Sequence, residues 1–490
     1  MTLRSSPALS LLFCLFWTGC AETSVELVVH LNLRVPDELD ALCLQLTSGA
    51  KSLFSRRYAM GADRVGKAQT LTVLPGQEYG TDFEVLLRGE RAGRQVSWLR
   101  EKIAFASNSV ERRDLDVGPT QPTDGGASRC SGVLGSGRFR LAGRLHDKQG
   151  AVAPIPVPFA PTELVVPSVE GSVRLAYSLA NRRIERHPEG LPVLGAAGAL
   201  HRVLVFDLHA AGEGGECHLD ILLLRGSGPL IWRHRGDGTF DAAPAPITGK
   251  EYSAAAAADL NGDGRVDLAL VSPTEGLAVL LNRGGGSFEE LSLGLAAGTL
   301  SEPTSVAAGF FDGDGAPDLV LGQGTVGKKP VLLLSDGKPN PTFRAVTLSA
   351  APERPTPSVA AADFNRDGLT DLVLGQDDAT VVLVKNGRTN AFERHDTFGI
   401  PDAKDILAQD LNADCAPDLV LARPRPGGAR ILINDGTGRF AESLVELEGG
   451  PGDPPGGTNV AAADVDGDGV IDVLLGGEPQ GAFWLQQKPR

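Results

Sequence analysis

The chain has 490 residues, a formal net charge of -15, 61 glycines, 33 prolines and 5% aromatic residues. Such a length admits several domains or one large repeat array, and the glycine and proline content disfavours long helices while suiting short strands joined by tight turns. The charge is acidic and no basic stripe laced with aromatics is present, so a nucleic-acid partner is not expected.

Residues 1–19 have the regions of a secretory signal: Arg4, an apolar stretch from Ala8 to Trp17, then Thr18 and Gly19 before Cys20. The small pair before a cysteine resembles the bacterial lipobox, with Trp17 where leucine is usual. The resemblance implies a lipoprotein lipidated at Cys20 and held at the outer membrane or cell surface. From Ser24, apolar Val25, Leu27, Val29, Leu31 and Leu33 alternate with polar residues, the period of a half-buried strand. Similar alternation at Leu42 to Leu46, Phe83 to Leu87 and Ile103 to Phe105 predicts a small β-sandwich over 20–118, immunoglobulin-like or transthyretin-like in shape. Residues 119–136, rich in Pro, Gly and polar side chains, read as a linker. Of the remaining cysteines, Cys43, Cys130, Cys217 and Cys415 suffice for two disulfides or for buried thiols, and spacing does not choose between them.

Internal repetition dominates 137–490. Five nine-residue segments align without gaps, beginning at Asp259, Phe310, Asp363, Asp410 and Asp464, and their closing aspartates are 51, 53, 47 and 54 residues apart. A degenerate copy runs from Asp207 to Asp220. Spacing near 50 suits one four-stranded propeller blade per repeat. Runs of small residues such as Ala254 to Ala258 precede the loops, as innermost strands crowded around an axis require. Apolar Asp-Leu-Val-Leu runs follow, and outer strands open at Phe288, Phe343, Phe392 and Phe440. The last repeat stops one strand short, and Gly135 to Phe139 matches Gly436 to Phe440. Residues 138–145 are therefore expected to supply the missing outer strand, removing an exposed edge. With 162–186 as a first blade lacking the acidic loop, the fold class is an all-β propeller of about seven blades behind a small sandwich.

The loops have the order Asp-x-Asp/Asn-x-Asp-Gly-x-x-Asp. Alternate carboxylates can converge on a hard cation such as Ca²⁺, with the seventh residue offering its carbonyl and glycine at the sixth allowing the sharp turn. The candidate metal ligands are Asp259, Asn261, Asp263, Arg265 and Asp267; Asp312, Asp314, Ala316 and Asp318; Asp363, Asn365, Asp367, Leu369 and Asp371; Asp410, Asn412, Asp414, Ala416 and Asp418; and Asp464, Asp466, Asp468, Val470 and Asp472. Single acidic turns are ordinarily Asx turns. Five in register, with carboxylates this close, call for a cation.

On these residues 137–490 resembles the FG-GAP/VCBS repeat family, which includes integrin α-subunit propellers. The resemblance implies that each loop joins the first two strands of a blade and binds calcium on one face of the ring. The loops at 259, 363 and 464 match in full. Phe310 stands in place of the first carboxylate of its loop, Cys415 in place of glycine, and the insertion from Gly212 to His218 breaks the spacing of the 207–220 copy.

Two weaker features have plainer readings. Glu213, Glu216, Cys217, His218 and His209 suit a solvated insertion better than a transition-metal site. Arg235, Gly236 and Asp237 spell an adhesion tripeptide but occupy an ordinary hairpin turn. The expected function is a calcium-stabilised envelope lipoprotein, a monomer, acting as a binding or adhesion module for a protein or glycan. The alternatives are a propeller enzyme acting on glycans and an envelope-assembly scaffold.

Overall fold

The computed structural model describes most of residues 200–490 apart from short loops; before residue 200 it describes the strands and little of what joins them. Residues 1–23, and with them the signal, Cys14 and Cys20, lie outside the described residues, as do Cys130, Cys217 and Cys415. The described residues are almost wholly strand and turn, and they contain no helix long and apolar enough to cross a membrane.

Two compact units part near residues 132–133. The N-terminal unit holds two sheets. In the first, Ser24–Leu31 pairs antiparallel with Gln69–Val73 and parallel with Val110–Val117. The second has four strands in which Ala41–Ser48, carrying Cys43, lies between Lys51–Ala59 and Asp82–Arg91. Leu44, Leu46, Val85, Leu87 and Ile103 are buried, as their alternation predicts. The described residues define these two sheets rather than the sandwich expected from them.

The second unit is a β-propeller. Five successive sheets, from Leu200 to Glu442, each have four antiparallel strands in chain order. The blade built from Ala254–Ala258, Asp267–Ser272, Gly276–Gly284 and Ser287–Glu290 is representative. All five alanines of its first strand are buried, because first strands of successive blades lie directly against one another and leave no room for larger side chains. The second strand, Asp-Leu-Ala-Leu-Val-Ser, is buried along its whole length.

The period of two explains how blades stack. Ala255, Ala257, Leu268 and Leu270 point to one face and pack with Phe206, Leu222 and Leu224 of the preceding blade. Ala254, Ala256, Ala258, Ala269 and Val271 point to the other and pack with Val306, Leu319 and Leu321 of the following one. The same alternation joins the next pairs, with Phe311 and Phe364 as large fully buried fillers. Each such leucine or phenylalanine contributes about 1.5–3 kcal/mol through burial.

Two further sheets flank the five. One is Ala153–Ile155, Glu163–Val166, Val173–Ser178 and Arg183–His187. The other is Asn459–Ala463, Asp472–Gly476 and Ala482–Gln486, completed by Phe139–Arg144, which pairs antiparallel with Ala482–Gln486 and parallel with the short strand Val445–Glu446. Phe139–Arg144 thus caps the last repeat, as the match between Phe139 and Phe440 led one to expect. Among the described residues the regular blades, those of the run from Leu200 to Glu442, number five, fewer than the seven or so expected. The difference arises at the ends of the array, where one sheet has no acidic loop and the other borrows a strand from far away in sequence.

Candidate calcium loops at the blade turns

Each acidic segment joins the first and second strands of its blade, and its sequence order dictates its hydrogen bonds. In the 259–267 loop the Asp263 amide donates to Asp259 Oδ1 at 3.0 Å and to Asn261 Oδ1 at 3.1 Å. The Gly264 amide donates to Asp259 Oδ2 at 2.7 Å, and that of Arg265 to Asp263 Oδ1 at 2.9 Å. Oxygens of the first, third and fifth side chains are thereby gathered on one side of the turn. Gly262 and Gly264 have φ of 71° and 83°, the left-handed region that a side chain would strain.

Among the described residues the loops at 363 and 410 repeat three of these four bonds. Asp367 donates to Asp363 and Asn365 at 3.1 Å, and Leu369 to Asp367 at 2.8 Å. Asp414 donates to Asp410 and Asn412 at 3.1 Å, and Ala416 to Asp414 at 2.8 Å. Cys415 lies outside the described residues, and the bonds on either side of it keep the common pattern. In the 310–318 loop Asp314 donates to Asp312 Oδ1 at 3.2 Å and Ala316 to Asp314 Oδ1 at 2.9 Å, while Phe310 turns into the interior. In the last loop Asp466, Val470 and Asp472 are described, whereas Asp464 and Asp468 are not.

The ninth position does more than the sequence suggested. Asp267 Oδ2 accepts the Leu260 amide at 2.9 Å and Oδ1 accepts the Asn282 amide at 2.7 Å, so one carboxylate ties the turn to the end of the third strand. Asp318 holds Phe311 and Ser335, Asp371 holds Phe364 and Lys385, Asp418 holds Leu411 and Asn434, and Asp472 holds Val465 and Gln486 in the same way. Asp220, in the copy whose spacing is broken, does likewise with Leu208 and His234. All six carboxylates are buried.

Burial sets their electrostatics. It pushes Asp267 and Asp418 up to about 8 against the opposing backbone bonds, and the other carboxylates of each loop push further. Asp318 and Asp371 are raised to about 7 and Asp220 to about 6, again chiefly by burial. Asp259 is raised by burial and by Asp263. These donors are all oxygens, crowded and electrostatically unfavourable to one another, and so fit a hard divalent cation. The third-position amide of Asn261, Asn365 and Asn412 limits the charge. Among the described residues no three His, Cys, Asp or Glu groups form a preformed metal cage. Asp263 Oδ2 is instead occupied by Asn261 Nδ2 at 3.1 Å and by the Arg265 guanidinium at 2.7 Å.

Sequence reading missed a second set of residues, those that end the third strand. Asn282 Nδ2 donates to the Leu208 carbonyl of the preceding blade at 2.9 Å and to the Val266 carbonyl at 3.2 Å. Asn434 reaches Phe364 and Pro417, Gln486 reaches Leu411 and Ile471, and Ser335 reaches Leu260. Each latch grips the second residue of the preceding loop. The available signal was a polar residue closing an apolar run, as in Ile431-Leu-Ile-Asn434.

The weaker candidates resolve little. His209, Glu213, Glu216, Cys217 and His218 lie outside the described residues, as do Asp207, Gly236 and Asp237. Arg235 is turned onto Asp241 at 2.6 Å.

Stacked four-stranded blades joined by acidic turns define a β-propeller of the repeat type. The FG-GAP-like repeat model matches 215–270, 259–321, 311–374 and 410–475, and the chain carries FG-GAP-like repeats at these positions in its propeller. No match to a curated protein was found. Among solved structures, a lectin from Agrocybe aegerita that recognises non-reducing terminal N-acetylglucosamine is 18% identical, with 66% of this chain and 87% of that one covered and a TM-score of 0.46. A lectin from Burkholderia pseudomallei is 15% identical, with 70% and 99% covered and a TM-score of 0.43.

Proposed function

We propose that the protein is a calcium-stiffened binding module for a protein or glycan, carried as a monomer on a lipid anchor at the cell envelope. The observation that carries the calcium reading is the common bond pattern of the 259, 363 and 410 loops, which gathers oxygens of the first, third and fifth side chains beside a buried closing aspartate. Asp259, Asn261, Asp263 and Asp267 and their counterparts in the loops at 363, 410 and 464 would hold the ion, which would supply charge compensation and rigidity between the inner strands. Thermal unfolding with and without millimolar calcium tests this, since a ligand of the native state raises the transition. An unchanged transition would overturn it.

In this reading the propeller spans 137–490, its five regular blades flanked by the two end sheets. Ala153–Ile155, the first strand of one, lies against both Leu200–Phe206 and Asn459–Ala463. Residues 20–118 form a small sandwich and 119–136 a linker. Met1 to Cys20 would direct export and lipidation. Labelling with a fatty-acid analogue, abolished by Cys20→Ala, checks the anchor.

Binding is preferred to catalysis because of the arrangement at the inner strands. An enzyme reading would place free charged groups there. Arg202 is instead hydrogen-bonded to Asp405, whose second oxygen accepts the Val460 amide at 3.1 Å. These groups tie inner strands of three sheets together and so serve the frame. A glycan array probed with the full chain tests the ligand class.

A further inference from the structure

The buried cation at Lys385 stands where the other blades place a neutral latch. Lys385 ends the third strand of its blade, its amide held by Asp371 Oδ1 at 2.7 Å as those of Asn282 and Asn434 are held by Asp267 and Asp418. At this register the asparagine, glutamine and serine side chains reach the carbonyl of the second residue in the preceding loop. For Lys385 that loop is 310–318 and that residue Phe311. A lysine is one bond longer than glutamine, so at this register its side chain is long enough to extend past that carbonyl toward the 310–318 turn. Lys385 is only 3% exposed. Burial lowers its pKa, and the carboxylates of Asp312, Asp318, Asp367 and Asp371, with Asp312 foremost, oppose that effect. The loop facing this register is also the one in which Phe310 replaces the first carboxylate and is itself buried.

An unpaired ammonium in the interior is costly, and so is a group of carboxylates without a cation. The two defects cancel when they share a site. We propose that Lys385 is the resident cation of the 310–318 loop and that this loop, unlike its neighbours, takes no calcium. The second half rests on the calcium reading of the other loops; the first does not.

The experiment has two arms on the full chain. With EDTA present, Lys385→Met should lower the unfolding temperature by several degrees, Lys385→Arg should lower it less, and adding Asp312→Asn to Lys385→Met should recover part of the loss. Strictly additive losses would overturn the resident-cation role. In calcium titration calorimetry, Asp263→Asn should remove one bound ion, whereas Asp314→Asn should leave the number unchanged. Replacing Phe310→Asp together with Lys385→Asn should add one. Loss of an ion on Asp314→Asn would overturn the claim that the loop is metal-free. If the unaltered chain binds no calcium, the calcium reading fails and the EDTA arm still decides the role of Lys385.

Discussion

Calcium binding should be strongly proton-linked, because the closing aspartates of the proposed sites have pKa values raised above the ordinary 3.8, to about 8 at Asp267 and Asp418 and about 7 at Asp371. At pH 6 a carboxyl with a pKa of about 7 is roughly 90% protonated and one of about 8 roughly 99%. Each ion bound there must displace about one proton, falling below about a tenth at pH 9. For Asp267 the apparent affinity should weaken roughly 50-fold between pH 8 and pH 6. Calorimetry in two buffers of different ionisation enthalpy reads the released protons directly. The stability of the calcium-free protein follows with a definite sign. A raised carboxyl pKa means that the folded state holds more protons than the unfolded one between about pH 4 and pH 8, so stability falls as pH rises through that window. Saturating calcium should reduce the fall, leaving the share that comes from Asp220 and Asp318, where no ion is proposed. The absence of proton release at pH 6, or stability in EDTA that climbs from pH 5 to pH 8, would refute the reasoning.

Three substitutions probe the frame. Asp220→Ala leaves the buried Leu208 amide and the half-buried His234 amide without their carboxylate acceptor and should cost about 2–4 kcal/mol in urea denaturation. The loss should be equal in EDTA and in calcium, since no ion is proposed there. Asn434→Ala removes the donor to Phe364 and Pro417 and the acceptor of Gly436 and Gly438. It should destabilise by about 2–4 kcal/mol, and a transition unchanged from the parent would show the latch to be idle. At Gly322 an added Cβ would collide with the Thr356 carbonyl and Ser305 Oγ. Gly322→Ala should therefore cost about 1–3 kcal/mol or more, read as a lowered unfolding temperature.

The parts of this fold that repeat locally were legible in the sequence. The period of two gave the strands, the alanine runs marked the crowded axis, and the likeness of Phe139 to Phe440 foretold a strand exchanged across the ends of the array. What the sequence hid were partnerships between distant groups. An aspartate at the ninth position looks the same whether it faces an ion or two backbone amides. Asn282, Ser335, Lys385, Asn434 and Gln486 follow their closing aspartates at 15, 17, 14, 16 and 14 residues. That uneven spacing, set by the hairpin between the second and third strands, conceals their shared place in the blade.

Asp220 separates two roles that coincide elsewhere. Its loop has lost the spacing of the first, third and fifth positions, yet its carboxylate is buried and makes the same two backbone bonds as Asp267. The bond to the third strand therefore does not depend on a calcium geometry. Two opposed amide donors need an acceptor with two oxygens, and a carboxylate supplies both where an asparagine supplies one. A blade can lose its ion and keep its closing aspartate, but a blade that lost the aspartate would leave two donors orphaned in its interior. The ion, where present, then acts on a carboxylate the fold already requires, offsetting its burial and stiffening the turn around it.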